Sequence, residues 1–181
     1  MTPLSIRAAT VDDASDIARV HVASWRETYA GLLPEHMLAA LDVDARRQMW
    51  ASVLSDPDMQ AATRVLVLET GGKVVGFGAC GNQRSPQLKI SGFDGEIGAI
   101  YILNEARGLG AGRKLMSSLA EILAAVGRGG VSLWVLVENQ AARRFYERLG
   151  GKLLGERFER LPEAVLTEVA YGWPDLKTLI G

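Results

Sequence analysis

Much is scarce in this 181-residue chain. It has a single cysteine, Cys80, so no intrachain disulfide can form, which fits a reducing, cytoplasmic setting and reads as a small apolar side chain in a strand. Its two histidines, His21 and His36, have no cysteine or acidic partner at metal-ligand spacing, so no metal is expected. No apolar run approaches the roughly 18 residues of a membrane span. The opening, MTPLSIRAATVDD, lacks the basic and apolar regions of a secretory signal. Neither sign of charge dominates: 20 Lys and Arg stand against 21 Asp and Glu, for a net −1. A nucleic-acid partner would want a basic field that is not there. Repeats, low-complexity tracts and linkers are absent, so residues 1–181 read as one domain, long enough for a substantial core.

The chain does have a glycine-rich loop between an apolar run and an amphipathic helix: EIGAIYILNEARGLGAGRKLM, from Glu96 to Met116. Gly108, Gly110 and Gly112 alternate, so no Cβ holds the backbone away from a ligand. Several N–H groups gather where the helix begins, at the positive end of its dipole. Arg107 adds a guanidinium fork. The stretch Arg107, Gly108, Leu109, Gly110, Ala111, Gly112, Arg113 therefore reads as a pyrophosphate cradle. No Gly-Lys-Ser/Thr follows, which excludes a Walker A loop. The G-x-G-x-G pattern also lacks a third glycine at the place a dinucleotide fingerprint has it. The bland alternative is a β–α turn whose glycines only allow tight packing.

A second segment, VSLWVLVENQAARRFYERLGG from Val131 to Gly151, is an apolar strand followed by a helix that starts near Asn139 and stops at Gly150-Gly151. Asn139 and Tyr146 are seven apart and share a helical face. Periodicity and turn signals place strands at 4–9, 64–70, 73–80, 95–103, 131–137, 152–159 and 164–172. They place helices at 11–29, 34–55, 110–126 and 139–149. Pro34 suits the first turn of the second helix, and Gly71-Gly72 suits a hairpin. Residues 81–94, broken by Pro86 and Gly92, are the least determined.

Taken together, Arg107-x-x-Gly110-x-Gly112 and the Asn139…Phe145-Tyr146…Leu149-Gly150 pattern resemble the two signatures of the GNAT N-acetyltransferase superfamily. The opening Ile6-Arg7-Ala8-Ala9 with Asp12-Asp13 and the patch from Val22 to Pro34 extend the resemblance over nearly the whole chain. It implies an α/β, three-layer fold, with a mixed, mostly antiparallel sheet of about seven strands and about four flanking helices. It implies acetyl-CoA as acyl donor, direct transfer to a primary amine, no metal, and a homodimer by family habit. Two positions depart from the pattern: Asn104 stands where proline is common, and Lys152 where an aromatic is common.

The resemblance also suggests roles. Backbone groups near Ile100, Tyr101 and Ile102, on a strand that splays from its neighbour, would receive the thioester and pantetheine arm; Gly98 permits the distortion. Tyr146 is the candidate acid for the leaving thiolate, because a phenol near pKa 10 keeps its proton at pH 7; a core tyrosine is the alternative. Glu96, expected to share a strand face with Gly98, Ile100 and Ile102, is the candidate base, with a solvated strand-end carboxylate as the alternative. Asn139 reads as a contact to the pantetheine arm, a helix N-cap, or both. Trp25 and Tyr29, neighbours on the first helix, read as acceptor-pocket walls or as core, and His21 lies one turn before Trp25. Another acyl donor, an O-acceptor, and a non-catalytic acyl-CoA-binding regulatory domain are the competing functions.

Overall fold

The computed structural model describes residues 3–161 and 164–180; Met1, Thr2 and Gly181, at the ends of the expected domain, lie outside them. Apart from three short 3₁₀ turns, the described residues form fourteen helices and strands. They are β1 (Leu4–Ala8), α1 (Ala14–Tyr29), α2 (Glu35–Ala39), α3 (Val43–Ser55), α4 (Pro57–Ala62), β2 (Thr63–Thr70), β3 (Lys73–Asn82), α5 (Pro86–Ile90), β4 (Gly95–Ile102), α6 (Ala111–Ala125), β5 (Val131–Leu136), α7 (Gln140–Arg148), β6 (Lys152–Leu161) and β7 (Ala164–Trp173). The strands form one seven-stranded sheet in the order β1-β2-β3-β4-β5-β7-β6. Every neighbouring pair is antiparallel except β4 and β5.

Each face of the sheet buries its own core. Leu115, Met116, Leu119, Ala120 and Leu123 of α6 pack with Leu133 and Val135 of β5 and Tyr146 of α7. On the opposite face, Ile17 and Val20 of α1 and Trp50 and Leu54 of α3 pack over Val65, Val67 and Phe77. Gly78 makes room for α6, since a Cβ there would stand 2.7 Å from Leu119 Cδ1. The three-layer mixed fold expected from the sequence is thus observed, with four longer helices (α1, α3, α6 and α7) and three of five or six residues.

One expectation is corrected, and one undetermined segment acquires structure. The helix expected over 34–55 is two helices, because Asp42 caps α3 by accepting from the amides of Asp44 (2.7 Å) and Ala45 (3.1 Å), a side-chain competitor that stops the helix running through. Residues 81–94, left open, contain the end of β3 and the short α5, begun by Pro86 and capped by Ser85.

The split in the sheet positions the site. β4 and β5 pair only at Gly95–Val131 and Glu96–Ser132, and beyond that point they diverge into a V. Gly98 is a β-bulge: against β3 the register steps from Ala79–Ala99 to Cys80–Ile97, leaving Gly98 as the extra residue. The bulge resets the alternation of side chains. Ile97, Ile100 and Ile102 pack with the α6 core, whereas Ala99 and Tyr101 pack with the α1 core. Glu96 therefore does not share a face with Ile100 and Ile102, as uninterrupted alternation predicted; one extra residue inverts the parity.

Candidate active site

A cleft of about 1060 Å³ runs through the V. One wall carries the start of α6 and α7; the other carries the end of α1, with β7 and β6 as floor. Of the residues given a role from the sequence, all line the cleft except Leu109, which lies in the same loop and is exposed, and His21, which lies behind the α1 wall.

On the α6 side the loop is built by backbone conformation. Gly108 (φ 78°) and Gly110 (φ 77°) occupy the left-handed region, which glycine enters without steric cost. Gly110 is the N-cap of α6, and no side chain caps it. The first intrahelical bond is Lys114 N–H to Gly110 C=O, so the amides of Ala111, Gly112 and Arg113 begin the helix without an intrahelical partner. Gly112 serves a different purpose from the loop glycines. It lies inside α6, where a Cβ would stand 2.9 Å from Phe145 Cζ of α7, so it lets α7 close against the start of α6. The Arg107 side chain turns back, its Nε donating to Ile102 C=O (2.9 Å) and its Nη2 to Thr28 Oγ1 (3.2 Å).

The open edge of β4 is the middle of the cleft. Leu103 N–H is donated to Val75 C=O of β3. Antiparallel alternation sends the Tyr101 amide the same way and aims the amides of Ile100 and Ile102 at the open side. Asn139 caps α7, its Oδ1 accepting from Ala142 N–H (3.1 Å), and its side-chain amide also hydrogen-bonds the Tyr29 phenol. Tyr146 is buried, and burial pushes its phenol pKa upward, with the nearby phenols of Tyr29 and Tyr101 adding to the rise.

Across the V, Trp25 Nε1 donates to Tyr101 Oη (3.1 Å), and Trp25 packs edge-on to Tyr29 at 4.9 Å. Burial pushes the Tyr29 phenol up to about 12. His21 does not reach the cleft. It stacks behind Tyr101 at 4.7 Å, and its Nδ1 accepts from Trp50 Nε1 (3.2 Å). Glu96 is buried at the apex of the V under Arg84. Its Oε1 accepts from Arg84 Nε (3.1 Å) and Nη2 (2.5 Å), and its Oε2 accepts from the Arg84 amide (2.9 Å).

Arg84, Trp134, Arg157 and Glu168 also line the cleft and were missed from the sequence. Arg84 sits in the segment with no periodic signal. The others become neighbours only through the register of β5, β7 and β6.

Both departures from the family pattern have a physical account. Asn104 N–H donates to Glu27 Oε2 of α1 (3.0 Å), a bond proline lacks. Beside Lys152, bare Gly151 receives the Trp173 indole from β7, at 2.7 Å from where a Cβ would be.

Comparison with known proteins accords with this arrangement. The Acetyltransferase (GNAT) family matches residues 22–151. The uncharacterized N-acetyltransferase YuaI of Bacillus subtilis is 35% identical over 177 residues, 97% of this chain and 96% of that one. Two solved structures share the fold. The PaiA N-acetyltransferase of Thermoplasma acidophilum, in complex with coenzyme A, has a TM-score of 0.71 at 17% identity, covering 92% of this chain and 98% of that one. YncA of Salmonella typhimurium, with acetyl-CoA, has a TM-score of 0.69 at 20% identity, covering 97% and 95%. The chain belongs to the GNAT acetyltransferase family. Among the described residues no cluster of His, Cys, Asp and Glu is placed to hold a metal, and no helix is long and apolar enough to cross a membrane.

Proposed function

We propose that this protein transfers an acetyl group from acetyl-CoA directly to a primary amine, with both substrates held in the V. The uncapped start of α6 carries the reading: three amides without intrahelical partners, at the positive end of a 15-residue helix, suit the CoA pyrophosphate. The open amides of Ile100 and Ile102 hold the pantetheine arm and polarise the thioester carbonyl, and the Asn139 amide nitrogen adds a donor to that arm.

Glu96 receives the proton of the attacking amine through water. Its carboxylate has about four acceptor sites, and Arg84 occupies three of them. As the C–N bond forms and the C–S bond breaks, the Tyr146 hydroxyl meets the departing sulfur as acid. Burial keeps that phenol protonated across the working pH range, so the proton moves only as charge develops on sulfur. Trp25 and Tyr29 wall the acceptor. A soluble cytoplasmic dimer is part of the same reading by family habit.

Thermal unfolding with acetyl-CoA, CoA or NADH tests the donor. At a hundred times its Kd a ligand adds about 2.7 kcal/mol, or about 5–10 °C for a chain of this size. Stabilisation by both CoA species and not by NADH is expected. No response to either CoA species would overturn the donor and the roles built on it.

A further inference from the structure

The acceptor side of the cleft shows a consistent asymmetry. Pairing in β5, β7 and β6 sets Leu136 and Arg157 opposite Glu168, and Trp134 opposite Ala170, so these side chains share the face that looks toward α1. Two guanidinium–carboxylate pairs stand there: Arg84 with Glu96 at the apex, and Arg157 with Glu168 on the floor, where Arg157 Nε donates to Glu168 Oε2 at 2.6 Å. In both pairs the carboxylate is the hidden partner. The Glu96 side chain is 5% exposed against 74% for Arg84, and that of Glu168 is 16% exposed against 47% for Arg157. At these two pairs the cation is what faces a ligand and the anion lies behind it, while the exposed Glu27, Glu138 and Glu159 line other parts of the cleft.

The guanidinium at the apex is held in place rather than loose on the surface. Gln83, the residue before Arg84, is buried. It donates through Nε2 to Ser132 Oγ (2.6 Å) and Gly95 C=O (3.3 Å), and its Oε1 accepts from Ser85 N–H (3.0 Å). Those bonds clamp the turn to the point where β4 and β5 part. Arg84 then lies over the bulge, its Nη2 3.6 Å from where a Gly98 Cβ would stand. Its Nη1 makes no hydrogen bond among the described residues. The Arg157 guanidinium carbon lies over the Trp134 ring, 4.2 Å from its centroid, which holds the fork and leaves both Nη groups without a partner among the described residues. A further polar atom waits on the α1 side: Ser24 lines the cleft, is 1% exposed, and its Oγ has no hydrogen-bond partner among the described residues, a costly state that a ligand would relieve. Between these polar points the walls are apolar: Trp25, Tyr29, Leu136 and Leu166.

We propose that the acceptor carries a carboxylate beside its primary amine, as an amino acid with an apolar or aromatic side chain does. Arg84 takes the carboxylate, and the amine faces the open edge of β4. The aromatic and leucine walls cover the side chain. A polycation has no carboxylate for Arg84 and sets its charge against that guanidinium, so it is disfavoured beside the amino acid. The proposal deepens the acetyl-transfer reading and depends on it.

The test follows thiol release from acetyl-CoA with two matched pairs, L-phenylalanine beside phenethylamine and L-leucine beside isoamylamine, and with spermidine as the polycation. At least one amino acid should exceed its decarboxylated partner in kcat/KM by about tenfold or more, the size expected of a charge-assisted contact. Arg84→Gln should bring that ratio toward one, through the KM of the acid; because Arg84 also pairs with Glu96, any change in kcat falls on acid and amine alike and cancels in the ratio. Arg84→Lys, which keeps a cation beside Glu96, should retain part of the preference. Stabilisation by acetyl-CoA reports that each variant is folded. Equal or reversed preference within the pairs overturns the proposal. So does faster turnover of spermidine, an equal loss for acid and amine in Arg84→Gln, or no acetylation of either pair while acetyl-CoA still binds. Failure of the wild type to bind acetyl-CoA is a separate outcome, and it removes the donor reading and this proposal together.

Discussion

On the α6 side of the cleft the binding surface is main chain: two left-handed glycines, the bare start of a helix, and the exposed edge of β4. On the α1 side it is side chains drawn from α1, the β3–α5 turn, β5, β6 and β7. A main-chain surface recognises what every CoA thioester has in common and tolerates almost any side chain that respects its φ angles. A side-chain surface is specific, and it is sensitive to charge. The two sides should therefore answer differently to mutation and to pH, and three experiments, taken in order of expected effect, would break or sharpen that contrast.

Tyr146 is the side chain on the α6 side that the proposed chemistry needs. Replacement by phenylalanine keeps its packing against Phe145, Tyr171 and Trp173 and removes only the hydroxyl. A fall in kcat of about 100-fold, with the acetyl-CoA Kd unchanged, is the expected result for loss of an acid. Undiminished turnover would remove Tyr146 from the chemistry and leave the α6 side as pure main chain.

The contrast also decides what could be read from the sequence. Left-handed glycines and a helix start leave a local trace, so residues 107–113 were legible without coordinates. So was Asn139, because an asparagine before a helix has few competing meanings. The acceptor side leaves no such trace. Arg157 and Glu168 meet through cross-strand register, and Arg84 reaches Glu96 from a turn with no periodicity. The Gly98 bulge hid the rest: one unpaired residue moved Tyr101 to the α1 face and Ile100 to the other, which no alternating pattern foretells.

Acid should find the acceptor side first. Burial lowers the His21 pKa to about 4, and the Arg46 charge contributes in the same direction. In the unfolded chain the imidazole titrates near its ordinary value of about 6.5. The native state thus favours neutral His21. The stabilisation is complete above about pH 6.5 and is lost as pH falls toward 4, where the unfolded chain has bound a proton that the fold resists. The loss across that window is about 2–3 kcal/mol. Urea unfolding at pH 7.5 and 4.5 should show it in the wild type and much less of it in His21→Gln. Because His21 backs Tyr101, the acceptor KM should rise in the same window before the acetyl-CoA Kd does. Equal pH sensitivity in wild type and variant would place the titrating group elsewhere.

The smallest effect tests whether the two sides are separate at all. α1 touches the glycine loop through two bonds: Glu27 accepts from the Asn104 amide, and Thr28 Oγ1 accepts from Arg107. Asn104→Pro removes the first without disturbing the backbone, because Leu103 already has the extended conformation that precedes proline (φ −61°, ψ 148°), and Asn104 opens a 3₁₀ turn where proline's φ is at home. Stability should change by about 1 kcal/mol or less, since the exposed Glu27 carboxylate returns to water and a stiffer unfolded chain offsets part of the loss. The informative readings are the two affinities. If α1 holds the loop in register, the acetyl-CoA Kd and the acceptor KM should rise together by about two- to fivefold, and Glu27→Ala, which removes the acceptor, should do the same. A change in Kd alone would mean that the loop sets its own shape. In that case the acceptor side, with its paired charges and stacked rings, could vary in sequence without disturbing how the donor is held.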